Sequence, residues 1–418
     1  MNTAAAADVK TLTVNLRTPE LLAAVQTQIQ SRYCSDLVNT LRTRREDLSI
    51  GHLTVRLAKE FGFCYGVERA IDMAYAARKA FQDREIYILG EIIHNPEVNG
   101  EIAALGIKNL MACGEDSAID SLTAGDIVII PAFGAEVSKL KKIRASGCQI
   151  VDTTCGDVMS VWKRVRHYAN EAATSIIHGK VQHEETLATS SRALADGQGR
   201  YLVVLDLEEA NYLCGYIRHG GKKAEFFEKF RNAHSPGFDP DVHLQKLGMA
   251  NQTTMLSSET EEIQRRIREA VYDRDGDELG ARNFQSFDGI CRATQERQDA
   301  LREMLKTPLD LLLVVGGYNS SNTTHLVEIG EAALPTYFFR NASCLRSPLA
   351  IAHYDRGGKR EIVTNGWLPA REITVGITAG ASCPNSLIED VILRLFELRG
   401  VPKKEVLQWK SHKQTTLE

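Results

Sequence analysis

Residues 53–81 read LTVRLAKEFGFCYGVERAIDMAYAARKAF. Leu53, Val55 and Leu57 alternate as in a half-buried strand, and Val67, Ala70, Ile71, Ala74 and Tyr75 recur at the spacing of one helix face. Between strand and helix lies a glycine-bearing loop that holds Cys64. The arrangement returns twice, as QIVDTTCGDVMSVWKRVRHYANEAA around Cys155 and as FQSFDGICRATQERQDALREML around Cys291. Three units, each with one cysteine at its strand-to-helix turn, organise the rest of the chain.

From Leu53 onward short apolar runs alternate with amphipathic segments, the pattern of parallel sheets flanked by helices. Residues 53–152 read as a first α/β domain, with Ile127 to Ile130 a buried strand running into Pro131 and Gly134. Residues 153–288 read as a second, in which Val158, Trp162, Val165 and Ala169 mark the apolar stripe of the helix after Cys155. Residues 289–400 form the third, where the apolar run DLLLVV feeds Gly316 and Gly317. Charge, glycine and proline mark 218–246 as a surface insertion, and irregular sequence marks 346–370 as a second one. Residues 1–52 read as an N-terminal extension with a packing or oligomer role, since Leu22, Val25, Ile29 and Tyr33 fall near helical spacing; residues 401–418 read as a tail.

A chain of 418 residues, 43% hydrophobic and 25% charged, buries a large core and divides into about two to four domains. A net charge of -4 gives no basic field for nucleic acid, and there is no acidic tail for a charged partner. No apolar run approaches the roughly 20 residues that span a bilayer. The N-terminus lacks a basic segment followed by a hydrophobic core, and its Asp8 and Glu20 count against a transit peptide. Cytoplasm is the expected compartment, with plastid stroma the eukaryotic alternative. Nine scattered cysteines with no CxxC pair fit neither a secreted disulfide framework nor a zinc ribbon.

Ligands bind at the carboxyl ends of parallel strands, and the loops there carry a coherent set. Cys64, Cys155 and Cys291 supply thiols; His94, His183 and Glu185 are titratable; Thr253, Thr254, Ser320, Ser321, Asn322 and Ser382 supply hydroxyls and an amide. Thiols at helix N-termini are expected to have depressed pKa values and suit a soft metal. Three is one too few for a closed cluster, and a four-iron cluster held by three cysteines keeps one iron open to substrate. Taken singly, each cysteine reads better as a small buried hydrophobe, each hydroxyl as a helix cap, and each His or Glu as a solvated loop residue; repetition at three equivalent turns brings the two readings of the cysteines level. Beside glycines and helix starts, the hydroxyl and amide set suits an anion such as phosphate. No GxxxxGK[ST] or well-placed GxGxxG is present, which disfavours a nucleotide.

FGFCYGVERAI, EIIHN, DTTC, HGKVQHEET, NQTTM, the cysteine-led helix with ATQERQ in place of an asparagine-containing sequence, GGYNSSNTTHL and GITAGAS occur in this order between residue 53 and about residue 395. Together they resemble the 4-hydroxy-3-methylbut-2-enyl diphosphate reductases, which catalyse the last step of the non-mevalonate isoprenoid pathway. The resemblance implies three pseudo-equivalent α/β domains with mainly parallel sheets, arranged as a trefoil around a central 4Fe-4S cluster. Cys64, Cys155 and Cys291 are its implied protein ligands, with one iron open. The implied reaction is reductive dehydroxylation of an allylic alcohol diphosphate to isopentenyl and dimethylallyl diphosphate. His94, His183, Ser320, Ser321, Asn322 and Ser382 are then expected to hold the diphosphate. Glu185 with Thr254 is expected to deliver protons, and Thr253 occupies the neighbouring motif position. Implied partners are the small-molecule diphosphate and a one-electron donor such as ferredoxin or flavodoxin; a homodimer is left open.

The family's SAHG segment reads PAFG here, so Phe133 stands where a diphosphate-binding imidazole is expected. This departure, the N-terminal extension and the two insertions resemble the longer cyanobacterial and plastid subfamily. Two other readings compete: a non-redox iron-sulfur hydro-lyase using the same open iron, and an iron-sulfur or zinc sensing protein. A sensor has no need of the proton source that Glu185 offers.

Overall fold

In the computed structural model the described residues are 13–14, 16–113, 115–194 and 197–409. Asp8 and half of the expected C-terminal tail, residues 410–418, lie outside them. The β-branched runs Ile86–Ile88, Ile127–Ile130 and Gln149–Asp152, with Ile107–Asn109, form one all-parallel sheet; its spatial order is 107–109, 86–88, 127–130, 149–152. A second all-parallel sheet has the order Phe284–Gln285, Leu247–Asn251, Thr174–His178, Arg200–Val204. The third has the order Leu48–Ile50, Leu53–Leu57, Ile373–Ala379, Leu311–Val315, Thr336–Phe339, and only its edge strand Leu48–Ile50 runs antiparallel. Inner strands such as Ile127–Ile130, Thr174–His178 and Leu311–Val315 are buried throughout, which is why they read as unbroken apolar runs.

In the first two sheets two neighbouring inner strands lead on to strands on opposite sides, and in the third one of the pair leads to a strand and the other to the last helices; each pair opens a crevice beyond its carboxyl ends. These pairs are 86–88 with 127–130, 174–178 with 247–251, and 311–315 with 373–379. Next to each pair is the strand that runs into a cysteine: 149–152, 284–285 and 53–57.

None of the three cysteine units lies within a single lobe, whereas the expected bounds split only the second and third. Leu53–Leu57 belongs to the third sheet, paired with Ile373–Ala379, whereas the helix after Cys64, Tyr65–Ala80, packs Ala70, Ile71 and Ala74 into the first lobe beside Ile86 and Ile127. Gln149–Asp152 belongs to the first sheet, and helix Gly156–Asn170 buries Val161 and Val165 in the second lobe. Phe284–Gln285 belongs to the second sheet, and helix Arg292–Met304 buries Leu301 and Met304 in the third. Each cysteine therefore stands where the chain crosses from one lobe to the next. The expected domain start at residue 53 is corrected accordingly: apolar periodicity identifies a strand and says nothing of which sheet recruits it.

Three other expectations change. Residues 218–246 are no surface insertion: Phe226, Phe230, Phe238 and Leu244 are fully or almost fully buried in the second-lobe core, hidden in the sequence among lysines and glutamates. Residues 346–370 form an antiparallel hairpin, Ala350–Asp355 with Arg360–Asn365, whose Ile351 and Trp367 pack on the third lobe. Residues 403–407 are a short helix seating buried Val406 against that lobe. The described part of the N-terminal extension bridges two lobes: helix Pro19–Tyr33 packs Val25 and Tyr33 on the first, and helix Asp36–Arg44 packs Val38 and Leu41 on the third. Among the described residues no helix is long and apolar enough to cross a membrane.

Candidate active site

The three crevices and three crossings open on one cavity of about 560 Å³. Its wall contains every loop residue singled out from the sequence: the three cysteines, His94, His183, Glu185, Thr253, Thr254, Ser320, Ser321, Asn322 and Ser382. His94 follows strand 86–88; His183 and Glu185 follow 174–178, and the two threonines follow 247–251. Ser320 to Asn322 follow 311–315, and Ser382 follows 373–379. His178, by contrast, ends its strand fully buried against Thr260 and does not line the cavity.

Cys64, Cys155 and Cys291 are the N-cap residues of the helices they introduce. Their loops are held by side chains from the other crossings. Arg69, on the helix after Cys64, donates to the carbonyls of Thr153 and Thr154 at 3.0 and 2.9 Å, just before Cys155. Arg297, on the helix after Cys291, donates to the Gly62 carbonyl at 2.6 Å, just before Cys64. Arg164, on the helix after Cys155, lies 5.0 Å over the Phe287 ring, just before Cys291. Gly66 separates two thiols: a Cβ added there stands 2.7 Å from Cys155 Sγ and 3.9 Å from Cys64 Sγ. Cys291 Sγ accepts from the Thr294 N–H at 3.4 Å and lies 3.1 Å from its hydroxyl.

The expected depression of the thiol pKa values is not found. Burial pushes Cys291 up to about 12 against the hydrogen bonds of Thr294, with Cys64 and Glu185 adding to the rise. Burial likewise raises Cys155. A helix N-terminus contributes too little to offset desolvation here, so loss of the thiol protons has to be coupled to metal binding.

Glu185 is 2% exposed and its carboxylate accepts from the Thr253 N–H at 2.6 Å and the Thr253 hydroxyl at 3.1 Å. Burial dominates these bonds and raises its pKa to about 7. The partner of Glu185 is thus Thr253, while the Thr254 hydroxyl accepts from Gln252 at 2.9 Å. Both threonines lie in the turn after strand 247–251, where no regular alternation of faces tells from sequence which of them meets the carboxylate.

His94, His183 and Glu184 bring their ligand atoms within 4.8 Å of one another, a spacing that a cation could use. The hydrogen bonds argue for an anion instead. His183 Nδ1 accepts from the Glu185 N–H at 3.2 Å, and burial holds its pKa well below the ordinary value; the ring is neutral with its proton on Nε2. His94 Nδ1 lies 3.1 Å from Glu91 Oε2, which also accepts from Asn319 at 2.8 Å. Burial raises the Glu91 pKa, but the bonds from His94 and Asn319 outweigh it and hold the group below the usual carboxylate range. His94 Nε2, His183 Nε2 and Ser321 Oγ are buried with no hydrogen-bond partner, the Glu184 carboxylate standing 3.7 Å from His94 Nε2, so three polar atoms of one cavity wall are left for a ligand.

The helices Tyr65–Ala80, Gly156–Asn170, Glu184–Ala193, Arg292–Met304 and Ser321–Glu331 all start at this wall and turn their positive ends toward it. Arg297 spends its guanidinium on carbonyls, and Arg292 has a side chain 90% exposed and paired with Glu296. Neutral donors and helix dipoles, rather than lysines, are therefore what this cavity offers an anion. Gly317 permits the close approach of two lobes here, since a Cβ on it meets the His94 carbonyl oxygen at 2.4 Å. Thr294, Gly66, Arg297 and Glu91 escaped sequence reading, although the position of Thr294, three residues into a cysteine-led helix, was an available signal.

Fold and site define a three-lobed α/β protein with one thiol-lined, anion-accepting cavity at its lobe crossings. Residues 55–396 match the model of the LytB protein family. The chain belongs to that family. It is 48% identical over 389 residues to the 4-hydroxy-3-methylbut-2-enyl diphosphate reductase of Gloeobacter violaceus, covering 91% of each chain. It is 46% identical over 379 residues to the enzyme of the same name from Nostoc sp., covering 90% of this chain and 93% of that one. A solved (E)-4-hydroxy-3-methyl-but-2-enyl diphosphate reductase superposes with a TM-score of 0.50 at 26% identity, over 82% of this chain and 99% of the other. A reductase from Plasmodium falciparum shares the fold, with a TM-score of 0.60 at 21% identity over 86% and 96% of the two chains.

Proposed function

We propose that this chain is an iron-sulfur oxidoreductase that converts (E)-4-hydroxy-3-methylbut-2-enyl diphosphate to isopentenyl and dimethylallyl diphosphate. The observation that carries the reading is the pairing, in one cavity, of three convergent thiols with three unpartnered polar atoms of His94, His183 and Ser321. A thiol set alone serves a sensor; a thiol set beside a built anion site and a buried acid serves a reaction on an anion. Three thiols from three lobes, with no fourth cysteine in the wall, fit a 4Fe-4S cluster with one iron open. When bound, such a cluster supplies single electrons and a Lewis-acidic iron.

The chain's own residues do the rest. His183 Nε2–H donates to a diphosphate oxygen, as do the Ser320 and Ser321 hydroxyls, and the helix ends behind them stabilise the charge. His94, Asn322 and Ser382 close the same wall, where Asn322 Oδ1 accepts from the Ala381 N–H at 2.9 Å and Ser382 Oγ donates to the His94 carbonyl at 3.1 Å. The first of these bonds joins two loops of the third lobe, and the second ties that lobe to the first. Fixing the diphosphate brings the allylic hydroxyl to the thiol side, where Glu185 in its protonated form supplies the proton that lets oxygen leave as water. Two electrons, delivered singly by a carrier of the ferredoxin or flavodoxin kind, and a second proton taken up at one end of the allylic carbon unit complete the balance, the end protonated deciding which of the two products forms.

The test is direct. The protein is purified without oxygen, its iron, sulfide and spectrum are recorded, and the hydroxylated diphosphate is added with a one-electron reductant. Two five-carbon diphosphates are expected; a colourless, zinc-containing protein without turnover overturns the reading. Gly66→Ala offers a second check. Alanine is the better helix former by about 1 kcal/mol. Its Cβ nevertheless crowds Cys155 Sγ at 2.7 Å. The variant is expected to fold as well as the parent and to retain less than half its iron after reconstitution, and full iron retention counts against the ligand set.

A further inference from the structure

We infer that Phe133 is a positioning residue for the diphosphate clamp, its ring holding the His94 imidazole with Nε2 turned into the cavity. The inference rests on the diphosphate reading of this wall. Phe133 lies in the loop after strand 127–130 and His94 in the loop after the neighbouring strand 86–88, so one crevice presents both rings. The two are stacked face to face, with centroids 4.6 Å apart and planes 6° from parallel. His183 stands edge-on to the pair, 4.9 Å from the His94 centroid at 77° and 6.4 Å from the Phe133 centroid at 72°.

A phenyl ring has no donor or acceptor and cannot bond a phosphate oxygen. What it can do is cover one face of the imidazole and leave the ring edge free. That edge carries Nδ1, engaged with Glu91, and Nε2, buried without a hydrogen bond and 3.7 Å from the half-exposed Glu184 carboxylate. Turning the His94 ring about its long axis breaks the stack and the Glu91 bond together, so two contacts enforce one orientation. Phe133 is 8% exposed and cannot swing into solvent to release it. The wall thus trades a third polar group for a fixed second one.

Phe133→Leu and Phe133→Tyr in the cluster-loaded enzyme test this, with kcat and KM for the hydroxylated diphosphate, calorimetric binding of inorganic pyrophosphate, and the histidine Hε1 NMR spectrum. The leucine variant is expected to raise KM and the pyrophosphate Kd roughly fivefold, as loss of one aromatic stack implies, with kcat within about twofold. The His94 resonance moves downfield as the ring current is lost, and the tyrosine variant keeps all three readouts near the parent. Where leucine fails to fold, Phe133→Met fills the space without a flat face. Unchanged KM and pyrophosphate affinity in the leucine variant overturn the inference, as does a tyrosine variant impaired to the same degree. If the parent itself ignores pyrophosphate, the diphosphate reading falls and this inference with it; if the parent binds it and the leucine variant binds it equally well, the inference falls alone.

Discussion

Cys155→Ser is expected to abolish turnover and to strip most of the iron, while leaving the three-lobed fold in place. Serine is a hard, weakly acidic ligand where a soft thiolate is required. Two remaining thiols, on two of the three crossings, cannot enclose a cluster that three lobes share. The fold survives because the loops are held by Arg69, Arg164 and Arg297 and by lobe cores that do not include the metal. Cys64→Ser and Cys291→Ser are expected to behave alike. Cys34→Ser is the control, since that thiol is exposed, far along the chain from the crossings, and outside the cavity wall. Iron and sulfide analysis with circular dichroism on the same samples reads the outcome. Full iron and activity in any of the three variants removes that cysteine from the ligand set.

Glu185→Gln is the complementary case: the iron stays and the chemistry goes. Glutamine keeps the shape and can still accept from Thr253, but it has no proton to give. General acid catalysis of this kind contributes about 100-fold to 10,000-fold, and a loss in that range is expected in kcat. The pH profile supplies a sharper check. With its pKa raised to about 7 by burial, Glu185 is largely protonated below that pH and progressively ionised above it. The acid form is the one that works, so parent activity declines as pH rises through about 7, and that alkaline limb disappears in the glutamine variant. A glutamine variant with parent kcat, or with the same limb, moves the proton source elsewhere.

Much of the site was legible in the sequence because its residues sit in strand-to-helix loops, where side-chain type is dictated by chemistry more than by packing. His94, His183, Glu185, Ser320 to Asn322 and Ser382 follow apolar runs that could only be inner strands, and all reach one cavity. Less legible was anything decided by long-range pairing. Leu53, Val55 and Leu57 announce a strand, yet nothing local says that their partners are residues 373–377. Phe226 and Phe230 sit at helical spacing among charges, and only the fold shows that one face of that segment is core. The thiols show a third limit. Helix starts suggest activated cysteines, but the cost of desolvating Cys291 depends on neighbours contributed by three different lobes.

Because the chain passes through its lobes in a cycle and returns to the first strand at the end, the site is completed last during synthesis. Leu53–Leu57 emerges early from the ribosome, but its parallel neighbour Ile373–Ala379 is made only when the chain is nearly finished. The Cys64 N–H, moreover, bonds the carbonyl of Ala381, a residue later still. Contacts of such sequence separation form slowly. The first lobe and most of the second can mature on the nascent chain while Cys64 waits for its strand to be seated. Until residues 373–381 are made and seated, Cys64 lacks the strand partner and the backbone bond that hold it beside the other two thiols.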